Sequence, residues 1–153
     1  MCSSDLNLAG VRAGFFAGDP ELVGYLRSVR QHAGLMVPGP VQAAAAVALA
    51  DDEHVVAQRE RYMERLRFLA GALTAAGCPV GVPAGGFYLW VRVPDRWSDA
   101  WAFATDLAKT AGLLVSPGDL YGEAGRDHVR IAVVQPMERL ALVAERLREA
   151  GWA

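Results

Sequence analysis

The spacing of hydrophobic residues along this chain changes character near residue 78. Before it, apolar residues mostly recur at helical intervals; after it, short apolar runs alternate with helical stretches. Residues 11–17 are short, aromatic and bounded by glycines, which predicts a buried strand. Asp19-Pro20 then reads as a helix start, with Asp19 as N-cap and Pro20 in the first helical position. That helix should run to about Ala33. Two prolines within three residues, Pro38 and Pro40, break the pattern, and an alanine-rich helix is expected over 41–50. Asp51-Asp52 opens the longest helix, reaching about Ala76. Val55, Tyr62, Leu66, Leu69 and Leu73 share one of its faces, and Gly77 serves as C-cap.

From residue 78 the expected order is strand, strand, helix, strand, strand, helix. Residues 87–93 read as a buried strand behind a Gly85-Gly86 turn, and 98–111 as a helix closed by Gly112. Residues 113–116 and 128–134 read as strands. A final amphipathic helix over 137–150 places Met137, Leu140, Ala144 and Leu147 on one face, with Gly151 ending it. The pattern predicts an α+β fold, a sheet with helices on one face. A hinge is expected near residues 35–40.

A chain of 153 residues fits one domain and can bury a real core. Its 53% apolar and 21% charged composition argues against disorder. A net charge of −2 gives no electrostatic reason to expect nucleic acid or an acidic membrane as partner. Cys2 and Cys78 have no metal-ligand spacing, so a reducing cytoplasm is the expected location. No stretch is apolar enough to span a bilayer, and MCSSDL is polar where a signal peptide would be apolar.

Three places could carry chemistry. In Gly10-Val11-Arg12-Ala13-Gly14 the glycines let backbone approach a ligand while the guanidinium reaches an anion; a surface ion pair explains the same residues. Arg130 interrupts the apolar run His128-Val129-Arg130-Ile131-Ala132-Val133. If its head group is buried it needs an acid or an anionic ligand, and the nearest acid is Asp127 at the strand's edge. Residues 116–122, SPGDLYG, form an ordered loop just before that strand. Tyr88 and Trp90 read as core. His32, His54 and His128 share no metal-ligand spacing, and no metal site is expected.

Taken together, NLAGVRAGFF, PGPVQAA, GGFYLWV, LLVSPGDLYG and HVRIAVV resemble, in order and spacing, the C-terminal portion of class I/II aminotransferases. These are fold-type I enzymes that use pyridoxal 5'-phosphate. The resemblance covers residues 7 to about 150. HAGLMVPGPVQAA and PGDLYG look closest to succinyldiaminopimelate aminotransferases of bacterial lysine biosynthesis. It implies that residues 7–40 are the last strand and helices of a large domain with a connecting helix. Residues 41–153 would be the small C-terminal domain. The family pattern also implies a homodimer acting on an amino acid and a 2-oxo acid.

The family motif S-K-x-x-x-x-x-G-x-R-x-G, set on Gly10, Arg12 and Gly14, puts its lysine at position 4, where Ser4 stands. That lysine forms the Schiff base with the cofactor and moves the proton. The single lysine of this sequence is Lys109. No catalytic residue is therefore assigned, and the chain alone is expected to be inactive. Arg12 matches the arginine that binds the cofactor phosphate, and Arg130 the one that grips the substrate α-carboxylate. Residues 1–6 match nothing in the family, so a non-native start on a truncated sequence is expected; a short protein that lost its lysine is the alternative. Two other functions stay open: a non-catalytic anion-binding or interaction module, and a fold-type I lyase, decarboxylase or acyl-transferring enzyme.

Overall fold

Asp19 starts the first helix without help from tertiary packing. Its carboxylate accepts hydrogen bonds from the backbone N–H groups of Glu21 (2.9 Å) and Leu22 (3.0 Å), two of the donors a helix N-terminus leaves unpaired. The computed structural model describes residues 9–152 and forms two compact units, Met1–Arg59 and Glu60–Ala153. In the first unit, α1 (Pro20–His32) is followed by α2 (Gly39–Leu49) and by the start of α3 (Asp52–Ala75). Helix α2 begins two residues earlier than its alanine run suggests. Pro40 lies in its first turn, where a missing N–H costs nothing. Neither α1 nor α2 buries a side chain.

The strand expected over 11–17 does not form. Ala9–Val11 is a single 3₁₀ turn, Arg12 adopts φ +55°, and Gly14 makes only an isolated bridge. A left-handed residue at Arg12 ends any extended run there, and Phe15 and Phe16 are exposed rather than buried.

The second unit holds the core. Helix α3 ends where Gly77 turns left-handed (φ +76°) and the Cys78 N–H reaches back to the Leu73 carbonyl at 2.8 Å. A three-stranded antiparallel sheet follows in the order β1-β3-β2, built from β1 (Tyr88–Arg92), β2 (Ser116–Pro117) and β3 (His128–Ala132). Helix α4 (Ala100–Ala111) separates β1 from β2, and α5 (Met137–Glu149) closes the fold. The sheet has one strand fewer than the sequence pattern implies: none forms between residue 78 and β1, and 113–116 contributes pairing at Ser116 alone.

The register Leu89↔Ile131 and Val91↔Val129 turns four apolar residues to one face. There they join Leu66, Leu69 and Leu73 of α3, Phe103 and Leu107 of α4, and Leu140 and Leu147 of α5, all buried. Each such side chain contributes about 1.5–3 kcal/mol by leaving water. Arg96 ties Trp152 to this core. It donates to the carbonyls of Trp152 and Ala76 and stacks 4.1 Å from the Trp97 ring. Cys78 is buried beside it; burial pushes its thiol pKa up, and the hydrogen bond from Arg96 opposes that.

Candidate functional site

The alternation that buries Leu89, Val91, Val129 and Ile131 sends Tyr88, Trp90, Arg92, His128 and Arg130 to the opposite face. Tyr88 and Trp90 are therefore not core residues, as their apolar neighbours suggested; they are 38% and 42% exposed. Arg130 is half-buried at the centre of this face. Its guanidinium carbon lies 4.4 Å from the centre of the Tyr88 ring and 4.5 Å from that of Tyr121. Its Nε is buried and has no hydrogen-bond acceptor among the described residues, and no acidic side chain pairs with it there. Trp90, which the register sets opposite Arg130, stacks diagonally on His128 (5.3 Å, 12° between planes) and meets Tyr121 edge-on at 6.0 Å. The Nδ1 of His128 is likewise buried without a partner among the described residues.

Tyr121 arrives on the loop that the sequence marked as its third candidate. Ser116 of β2 pairs with Arg130 of β3, and the chain then turns through two short 3₁₀ segments, Gly118–Tyr121 and Glu123–Gly125. Gly118 and Gly125 pass so closely that a Cβ on Gly118 would sit 2.7 Å from the His128 carbonyl and 2.9 Å from the Trp90 ring. It would meet the Gly125 carbonyl closer still. Only glycine fits this crossing. Asp119 accepts the indole N–H of Trp101 at 2.8 Å, which ties the loop to α4.

Arg12 belongs to the other unit. It is exposed and is the one non-glycine residue with positive φ among the described residues. Such a conformation costs about 1–3 kcal/mol and is found where function or packing demands it. Its neighbours Val11, Ala13 and Gly14 line an apolar cavity of about 560 Å³ together with Phe16, Val37 and Leu49. Arg30 also borders the cavity, but its guanidinium is committed to the Leu35 carbonyl at 2.7 Å. Ser4 lies outside the described residues. Lys109 is exposed in the last turn of α4.

The structure sets Arg130 and the loop, both singled out by the sequence, beside Tyr88, Trp90 and His128, which the sequence pattern alone does not bring to them. The two-residue period of Phe87-Tyr88-Leu89-Trp90-Val91 was the available signal: Leu89 and Val91 cannot face the core together with Tyr88 and Trp90.

The same architecture recurs in an aromatic aminotransferase from Pyrococcus horikoshii. Its structure superimposes with a TM-score of 0.84 at 28% identity, over 95% of this chain and 40% of that one. The fold is thus that of a fold-type I aminotransferase, an α+β fragment of it. The family profile "Aminotransferase class I and II" matches residues 2–147, and the chain belongs to that family. It is 50% identical over 141 residues to 4-dedimethylamino-4-oxo-anhydrotetracycline transaminase OxyQ of Streptomyces rimosus, covering 92% of this chain. It is 35% identical over 147 residues to an LL-diaminopimelate aminotransferase of Aquifex aeolicus, covering 95% of it. The chain spans 38% of the length of each of these two relatives. No helix among the described residues is long and apolar enough to cross a membrane.

Proposed function

We propose that this chain carries part of the active site of a pyridoxal-phosphate-dependent aminotransferase, with Arg130 as the group that binds the substrate carboxylate. The observation that carries this reading is the buried, unpaired Nε of Arg130 on a face with no acidic partner for it among the described residues. A guanidinium so placed asks for an anion, and its planar fork suits a carboxylate. A charge-assisted hydrogen bond to it contributes about 1.5–3 kcal/mol.

Arg12 is proposed as the phosphate anchor of the cofactor. When bound in an enzyme of this family, pyridoxal phosphate supplies an electron sink for the amino group in transit. The donor set present suits its phosphate and not its aldehyde, because Ser4 offers a hydroxyl where an amine is required. Without that amine, the chain is expected to turn over nothing by itself. Arg130 binds and orients, and Arg12 neutralises charge.

Residues 7–40 are proposed as the end of the large domain and its connecting helix, and 41–153 as the small domain. The whole enzyme is proposed to be a cytoplasmic homodimer. For the substrate we favour N-succinyl-diaminopimelate, on the segments HAGLMVPGPVQAA and PGDLYG, and the LL-diaminopimelate aminotransferase relative supports chemistry of that class. The 50% identity to OxyQ favours a second reading, amination of the ring ketone of a polycyclic acceptor. Titrating the labelled chain with N-succinyl-diaminopimelate and with 2-oxoglutarate, followed by NMR, tests both the site and the substrate. Saturable shifts at the residues around Arg130 that disappear in Arg130→Gln are expected. An Arg130→Gln chain that titrates like the wild type overturns the site, and binding confined to a polycyclic ketone favours the second reading.

A further inference from the structure

An arginine that must receive a carboxylate has to be held in place without being neutralised. A salt bridge would hold it, but an incoming ligand would then compete with the bridge. Arg130 is held differently. Two rings from separate elements, Tyr88 of β1 and Tyr121 of the loop after β2, approach its guanidinium at 4.4 and 4.5 Å. The attraction of a cation to a ring face leaves the N–H donors unspent.

We infer that Tyr88 and Tyr121 are positioning residues that clamp Arg130 and keep its donors available to one carboxylate. The inference rests on the carboxylate reading of Arg130 given above. Arginine has many rotamers to lose on binding, and fixing them beforehand removes that cost from the ligand's affinity. The surroundings serve the same end. Tyr121 is braced edge-on by Trp90, and its loop is held by the Gly118–Gly125 crossing and by the Trp101–Asp119 hydrogen bond. The two sides of the clamp are thus set by the sheet register and by α4.

The test uses the full 153-residue chain, ¹⁵N-labelled, with 2-oxoglutarate as probe. The Nε–H resonance of Arg130 should be displaced by the ring currents of both tyrosines in the absence of any ligand. Tyr88→Leu and Tyr121→Leu should each move it toward the position of an unstacked arginine and weaken 2-oxoglutarate about tenfold. Tyr88→Phe and Tyr121→Phe keep a ring face and should restore both signals, which a role for the hydroxyl would not allow. An undisplaced resonance in the wild type overturns the clamp even if the leucine variants fail to fold. So do leucine variants that bind as the wild type does, and phenylalanine variants that lose as much as the leucine ones. Arg130→Gln separates the two claims. If it binds 2-oxoglutarate normally, the carboxylate reading fails; if it loses binding while the leucine variants keep it, only the clamp fails.

Discussion

The indole N–H of Trp101 donates to Oδ2 of Asp119 at 2.8 Å, joining α4 to the loop that carries Tyr121. Trp101→Phe keeps a ring and removes the donor. It should cost about 0.5–1.5 kcal/mol in a denaturant titration. Amide exchange should quicken in residues 118–125 more than in β1 or β3.

Gly118 and Gly71 should respond to alanine in opposite directions. At Gly118 the new Cβ collides with the His128 carbonyl and the Trp90 ring, so Gly118→Ala should destabilise by about 1–3 kcal/mol and change the Trp90 fluorescence. Gly71 is an exposed position in α3 with open space around it, and Gly71→Ala should stabilise by about 0.5–1 kcal/mol. Equal effects at the two sites would contradict the crossing described for the loop.

Acid should weaken the start of α4. Asp99 caps it by accepting the Ala102 N–H at 2.8 Å, and chiefly this bond, helped by the Ser98 hydroxyl, holds its carboxyl pKa below the ordinary 3.8. A carboxyl whose pKa is lower folded than unfolded stabilises the fold above its unfolded value. That stabilisation is lost as pH falls through the folded value. The acid limb below pH 3.8 should therefore steepen in the wild type and flatten in Asp99→Ala, read by helical circular dichroism.

Two phenylalanines make a further contrast. Phe103 is fully buried in the core, its ring centre 4.5 Å from that of Trp97, and Phe103→Ala should cost about 3–5 kcal/mol. Phe15 is 55% exposed, and Phe15→Ala should stay within about 0.5 kcal/mol of the wild type. A large loss at Phe15 would restore the buried strand expected over 11–17.

What the sequence revealed depended on how local the cause was. Asp19-Pro20 and Gly112 set helix ends through their own hydrogen bonds and φ angles, and α1 and α4 lie where the pattern puts them. Leu66, Leu69 and Leu73 declared the buried face of α3 by spacing alone. Residues 11–17 misled because aromatic content and flanking glycines imitate a strand, whereas the positive φ of Arg12 is a backbone state that no pattern of apolar residues encodes. Arg130 was legible as an arginine in an apolar run. Its aromatic neighbours were not, since Tyr121 comes to it through loop geometry and Tyr88 through a register that pairs residues more than forty positions apart.

Helices α1 and α2 bury no side chain, while the buried hydrophobic cluster lies wholly within Glu60–Ala153. The heat-capacity step on melting, which scales with the apolar surface newly wetted, will therefore come almost entirely from that second unit. A calorimeter will assign the whole chain a melting temperature that belongs to three-fifths of it, and the Arg12 segment will have its own, lower, unfolding free energy.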